Sequence, residues 1–108
     1  MNYVVSLLRR ADHDAKRIYR WLANRSPTGA LRWYEALLDT LEVVRQRPSD
    51  CPLADEAELA ALDIRQRLFK TRRGRFYRVL FIISGQQVRV LRVRGPGQRP
   101  LQPDQLRP

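Results

Sequence analysis

The segment Phe76-Tyr77-Arg78-Val79-Leu80-Phe81-Ile82-Ile83 constrains the fold more than any other, because apolar side chains fall at odd and even positions alike. A strand that is apolar on both faces belongs in the middle of a sheet. It therefore demands partner strands. Ser84-Gly85-Gln86 supplies a hairpin connection, and Gln87 to Val93 reads as the strand that returns. Upstream, Ile64, Leu68 and Phe69 sit among Arg65, Arg67 and Lys70 in another strand-like run. Thr71-Arg72-Arg73-Gly74 makes the turn between them. Tyr3 to Leu8 is a further β-branched and apolar run of strand length, closed by Arg9-Arg10.

Between these strands the hydrophobic period is helical. Ala11, Ala15, Ile18, Tyr19 and Leu22 recur at three and four residues, which places them on one stripe. Asp12 or Asp14 in the first turn suits the positive end of the helix dipole, and the helix is expected to stop near Asn24. Ser26-Pro27 opens a second helix, with Ser26 as N-cap and Pro27 at the first helical position. Ala30, Tyr34, Leu37, Leu41 and Val44 form its stripe, widened by Trp33 and Leu38, and it ends before Pro48. So short a join makes the two helices an antiparallel hairpin, whose apolar stripes must be covered by each other and by the sheet. Ser49 to Asp63 is polar and Pro-bounded, then reads as a short helical turn or an acidic loop. Arg94-Gly95-Pro96-Gly97-Gln98-Arg99-Pro100 breaks both kinds of regular structure.

The expected class is therefore α+β, in the order β-α-α-(turn)-β-β-β. A helical hairpin packs on a small, mainly antiparallel sheet, with no internal repeat. The 108 residues suffice for one domain, residues 1–108, with an irregular tail from about 95. With 44% apolar residues the chain can pack an ordinary core, and a stability of about 5–10 kcal/mol is expected for such a domain.

Charge is distributed unevenly. The net charge is +10, yet residues 1–63 carry 9 Lys/Arg against 10 Asp/Glu, while residues 64–108 carry 12 against Asp104 alone. From Ile64 to Arg99 there is no acid at all. Such a block repels itself in the folded state, which makes sense when a polyanion or an acidic protein covers it. The plainer reading is a solvated basic face.

Several classes find no support. No apolar run approaches the roughly 18 residues of a membrane span, and MNYVVSLLRR has its apolar residues before its basic pair, the reverse of a signal peptide. The cytoplasm is the expected location. Cys51, the single cysteine, forms no internal disulfide and reads as an exposed or half-packed thiol. There is no Cys/His cluster for a metal and no phosphate-binding glycine loop followed by a helix and Lys, so no cofactor or metal is expected. The only His, His13, reads as a solvent-facing helical residue. Trp21 and Trp33 read as core or hairpin-packing residues.

One family matches this order and these residues. Ala11-Asp12-x-Asp14-Ala15-x-x-Ile18-Tyr19-x-Trp21-Leu22, then Ala30-x-x-Trp33-x-x-x-Leu37, Ile64-Arg65, Tyr77-Arg78-Val79-Leu80-Phe81 and Val88-x-Val90-Leu91-Arg92-Val93-Arg94 together resemble the RelE/ParE superfamily of bacterial type II toxins. The resemblance runs from about Tyr3 to Arg99. It implies a toxin neutralised by an antitoxin that lays an acidic segment across the basic sheet and hairpin. RelE-like members cleave mRNA on the ribosome and ParE-like members inhibit DNA gyrase; a shared fold does not choose between them.

Under the RelE-like alternative the resemblance assigns phosphate-handling roles to Arg65, Arg67, Arg78 and Arg99, or Arg94 in place of Arg99. Residues 65 and 67 share a strand face at period two and can clamp one phosphate. Such a nuclease also needs a general acid and base. Many relatives carry a Tyr or His near the C-terminus, whereas this chain ends RPLQPDQLRP. Arginine holds its proton too tightly to substitute, which leaves Tyr77 on its strand and Asp104 in a loose tail. The ParE-like reading needs only a shaped basic surface, for which Arg72, Arg73, Arg75, Arg92 and Arg94 are the candidates for binding target or antitoxin. A non-toxic basic nucleic-acid-binding module is the rival from another class, though aromatics are not interleaved with its arginines.

Overall fold

A computed structural model of the chain describes residues 2–106. Strand β1 (Val4–Leu7) leads into helix α1 (Arg9–Ala23) and helix α2 (Pro27–Gln46). A 3₁₀ turn (Pro48–Asp50) and the short helix α3 (Ala57–Ala60) precede strands β2 (Arg65–Phe69), β3 (Tyr77–Ser84) and β4 (Gln87–Arg94), and a second 3₁₀ turn spans Pro103–Leu106. The fold is α+β. The sheet order is β1-β4-β3-β2, so β3 is central as its two apolar faces require. β1 runs parallel to β4; the β2–β3 and β3–β4 pairs are antiparallel.

Local chemistry explains the boundaries. Ser26 Oγ accepts from the Gly29 N–H at 3.0 Å, and Pro27 occupies the first position of α2. The β3–β4 turn pairs Ser84 with Gln87 and needs Gly85 at φ +59°, a left-handed conformation cheap only without a Cβ. Arg9 and Arg10 lie inside the first turn of α1 rather than closing β1. Phe76 lies outside β3 and is exposed.

The sheet buries both faces. On the hairpin side, Ala11, Ala15, Trp33, Leu37 and Val44 pack against Phe69, Val79, Phe81, Val88, Val90 and Val93. On the other side, Leu80, Leu91 and Ile64 are covered by Ala54, Leu59, Leu101 and Leu106. The C-terminal segment is thus docked, not loose: Leu101 is 2% exposed and closes the second core. The α2 stripe is centred on Ala30, Trp33, Leu37, Thr40 and Val44, which leaves Tyr34 and Leu38 exposed. Rotating the stripe in this way seats the large Trp33 on the sheet.

Two further expectations need correction. Trp21 is 53% exposed and takes no place in the core. Cys51 is 2% exposed, with its Sγ 3.9 Å from the Arg47 carbonyl oxygen. It is a packed thiol, not a half-exposed one.

Candidate functional site: an arginine-lined cleft

Where α1 ends and α2 begins, the hairpin faces two loops of the sheet: the β2–β3 connection and the segment after β4. Between them lies a cleft of about 1050 Å³. Arg17 and Arg25 from α1 and its exit, Arg32 from α2, and Arg72, Arg73 and Arg75 from the β2–β3 connection all line it. All six are exposed, and no Asp or Glu lines the cleft. The arginines surround less accessible apolar groups: Ile18, Leu22, Tyr77 and Pro96 are half-buried and Trp33 is buried. Apolar lining under a cationic rim is the composition of a binding groove.

The lining is held from below by an aromatic cluster. The Trp33 ring centroid lies 6.0 Å from that of Phe69 and 5.5 Å from that of Tyr77. Burial pushes the Tyr77 hydroxyl pKa up, against the opposing pull of Arg75. Gly95 lies so close to this cluster that a Cβ there would stand 2.9 Å from the Tyr77 ring. The Trp33 indole N–H is buried with no acceptor among the described residues. At the rim, the Arg25 guanidinium sits 3.6 Å above the Trp21 ring and donates to the Trp21 carbonyl at 3.1 Å.

The arginines singled out in the sequence part company in three dimensions. In the β2–β3 register, Arg65 pairs with Phe81 and Arg67 with Val79, on the hairpin face; Arg78 pairs with Leu68, on the opposite face. Arg65 and Arg67 do share a face, as period two requires. Arg78 cannot join them on one phosphate. Its guanidinium donates to both Glu56 carboxylate oxygens and, at 2.9 Å, to Gln66 Oε1. Gln66 in turn donates to Asp55, and Glu56 also accepts from the Leu101 N–H at 3.3 Å. The Arg78 hydrogen bonds hold the Glu56 carboxyl at about 2, below the ordinary 4.5, against the opposing effect of burial. Arg65 donates to the Cys51 carbonyl at 2.6 Å, while Arg67 is exposed. Burial pushes the Cys51 thiol pKa up, although Arg67 and Arg65 both oppose it.

Arg92 and Arg94 are likewise internal. Arg92 donates through Nε at 2.6 Å and Nη2 at 3.0 Å to Asp14, and through Nη1 to the Gln105 carbonyl at 2.9 Å. Asp14 also accepts from the Val93 N–H at 3.0 Å, where β4 runs past the end of β1. A β-bulge interrupts β4 beside these contacts. Leu80 pairs with Arg92 and Phe81 with Val90, so Leu91 is the extra residue, and strict alternation is broken in favour of Val93 facing the hairpin. Arg94 is 9% exposed; burial lowers its pKa, its Nη2 donates to the Arg99 carbonyl, and its Nε has no partner among the described residues. The Arg99 and Asp104 side chains are exposed, the latter in the final 3₁₀ turn. His13 is exposed and lines a smaller pocket with Arg10, Asp14, Arg17 and Arg92.

Of the expected binding residues the cleft thus gathers Arg72, Arg73 and Arg75, and it adds Arg17, Trp21, Arg25 and Arg32. A half-chain charge count hid these, because acids elsewhere in residues 1–63 cancel them. Their signal was local: Arg17, Trp21 and Arg25 recur every four residues, one stripe of α1 and its exit. Among the described residues no group of three or more His, Cys, Asp or Glu is placed to hold a metal ion. No helix of the described residues is long and apolar enough to cross a membrane.

Comparison with known proteins gives two findings. The family model described as the ParE toxin of type II toxin–antitoxin system, parDE, matches residues 5–100. A solved structure described as the chromosomal ParDE TA system from P. aeruginosa superposes with a TM-score of 0.61 at 16% identity, covering 85% of this chain and 94% of that one. At that identity the likeness concerns the fold. No curated protein matches the sequence.

Proposed function

The chain belongs to the ParE toxin family of type II toxin–antitoxin systems, and from that premise we propose that it arrests growth by binding and inhibiting DNA gyrase, not by cutting RNA. The observation that carries this reading is how the arginines are used. A nuclease needs cations that converge on one phosphate and stay free to stabilise its developing charge. Arg78 is instead bonded to Glu56 and Gln66, on the opposite sheet face from Arg65 and Arg67. Six exposed arginines instead gather at the cleft, where Arg72, Arg73 and Arg75 meet Arg17, Arg25 and Arg32. Such a surface recognises another macromolecule and jams it. Arg92 and Arg94 act in this reading as positioning residues: the first ties β4 to α1, the second holds the loop after β4 that forms one wall.

The toxin reading brings a partner with it. The structural relative is a ParDE system, and an antitoxin that neutralises this chain would form a hetero-complex over its basic surface. Gyrase inhibition also places the protein in the cytoplasm.

Parallel assays on one preparation test the proposal. Purified protein should inhibit DNA supercoiling by gyrase and should leave ribosome-bound mRNA uncut. Translation-dependent mRNA cleavage without an effect on supercoiling would replace this reading with the RelE-like one. Unimpaired growth on expression of the chain alone would remove the toxin reading itself.

A further inference from the structure

We propose that the solvent face of α1 is a contact surface for duplex DNA, held through the phosphate backbone. It rests on the gyrase reading only for which duplex is met, the one gyrase carries; the physical case stands on α1 itself. At 3.6 residues per turn, Arg9, Arg10, His13, Lys16, Arg17 and Arg20 fall within one arc of about 120°, and all six are exposed. The apolar stripe of α1 lies opposite and packs into the core. Two acids flank the cationic arc, and neither is free. Asp12 pairs with Lys16 at 2.9 Å. Asp14 is buried and gripped by Arg92 and the Val93 N–H, and Arg17 reaches it only at 3.4 Å. Arg9 and Arg20 form no ion pair among the described residues, and Arg10 donates to the Gln105 carbonyl at 2.9 Å.

Such a face is costly to the isolated fold. Arg9 and Arg10 stand in the first turn, at the positive end of the helix dipole, where cations destabilise. Lys16 and Arg17 each neighbour Arg20, four and three residues on, and like charges at those spacings repel. Local rules broken at several positions of one element mark a functional surface, and a polyanion laid along it removes the cost.

The chemistry of the arc separates the polyanions that compete for it. A protein partner is bound through an apolar centre from which charge is depleted, and this arc holds none. An anionic membrane draws a helix in by its apolar side, and that side of α1 is packed in the core. A single strand needs open aromatic faces for stacking. Trp21, at the margin of the arc, has one face covered by Arg25 at 3.6 Å. A duplex backbone needs only a row of cations. Arg9 to Arg20 covers about 16 Å of helix, alongside which B-DNA presents about ten phosphate charges.

Binding of the full-length protein to a short labelled duplex of mixed sequence, followed by fluorescence anisotropy across a salt series, tests this without gyrase. With the five Lys/Arg of the arc engaged, the log–log slope of the association constant against salt should be about −4 to −5. Arg9→Gln with Arg20→Gln should make the slope shallower by about 2 and weaken binding about tenfold or more at about 0.1 M salt. The thermal melt of that variant should be unchanged or raised, because neither guanidinium makes an ion pair among the described residues and Arg9 opposes the helix dipole. Arg89→Gln removes an exposed arginine of β4 and should leave the slope as it was. An oligoglutamate peptide should bind far more weakly than the duplex. Any of four results overturns the proposal: no binding to the duplex at low salt, a slope indifferent to the double variant, a loss for Arg89→Gln equal to that for Arg20→Gln alone, or oligoglutamate binding as tightly as the duplex. A failure to inhibit supercoiling would leave these readouts untouched and sink the gyrase reading alone. A duplex bound without help from α1 would sink this inference alone.

Discussion

Asp14 is the residue on which α1, β4 and the C-terminal segment converge, and its removal is expected to be the most damaging single polar substitution in the chain. Its side chain is 5% exposed and faces the Arg92 side chain at 11%. Truncating one member of a buried pair costs about 3–5 kcal/mol, because the other charge stays buried without a partner. Arg92 keeps its bond to the Gln105 carbonyl, which argues for the lower end, about 3 kcal/mol. The Val93 N–H loses its acceptor as well, adding about 1 kcal/mol. Asp14→Ala should therefore cost about 4 kcal/mol, or about 15–30 °C in Tm for a domain of this size. Asp14→Asn keeps an oxygen for Val93 and should cost about half as much. Urea unfolding followed by circular dichroism measures both. In the Asp14→Ala background, Arg92→Ala should cost less than it does in the parent, with a coupling of about 2 kcal/mol. A loss below about 1 kcal/mol for Asp14→Ala, within the range of surface substitutions, or additivity of the two changes, would refute the argument.

Three other outcomes are expected. The Glu56 carboxyl titrates at about 2 in the fold against 4.5 for an unperturbed group. Its contribution is thus complete above about pH 4.5 and lost as the pH falls toward 2, roughly 2–3 kcal/mol in all; urea midpoints of parent and Glu56→Gln should converge as the solution is acidified. Leu101→Ala should destabilise by about 2–4 kcal/mol, whereas a truly loose tail would show no change in Tm. Cys51 should react with a disulfide reagent far more slowly in the native protein than in urea, since it is both buried and held as the thiol by a raised pKa. Labelling at the free-thiol rate under native conditions would contradict the packing of the segment that carries it.

Local signals account for what could be read in advance. Ser26-Pro27 starts α2 and Gly85 turns β3 into β4 through interactions within four residues, which act the same way in any fold. The period-two and period-3.6 patterns act within one element, so the order of elements and the central place of β3 follow from them. The docking of the C-terminal segment is not legible in the sequence, because Gly and Pro exclude helix and strand but do not exclude packing: Leu101 and Leu106 enter the second core with at most a 3₁₀ turn around them.

The placement of the arginines lies at the boundary between the two kinds of information. Local pattern is enough to put the strongly basic half-chain into strands under a helical hairpin, and to put Arg65 and Arg67 on one face. The cross-strand register puts Arg78 on the face opposite Arg65 and Arg67, β4 bulges at Leu91, Arg92 reaches Asp14, and Arg17, Arg25 and Arg32 meet Arg72, Arg73 and Arg75; these follow from the tertiary structure alone. Cross-strand register and interlayer contacts join segments far apart in the chain. Their free energies depend on how the whole core packs, and no local pattern carries that.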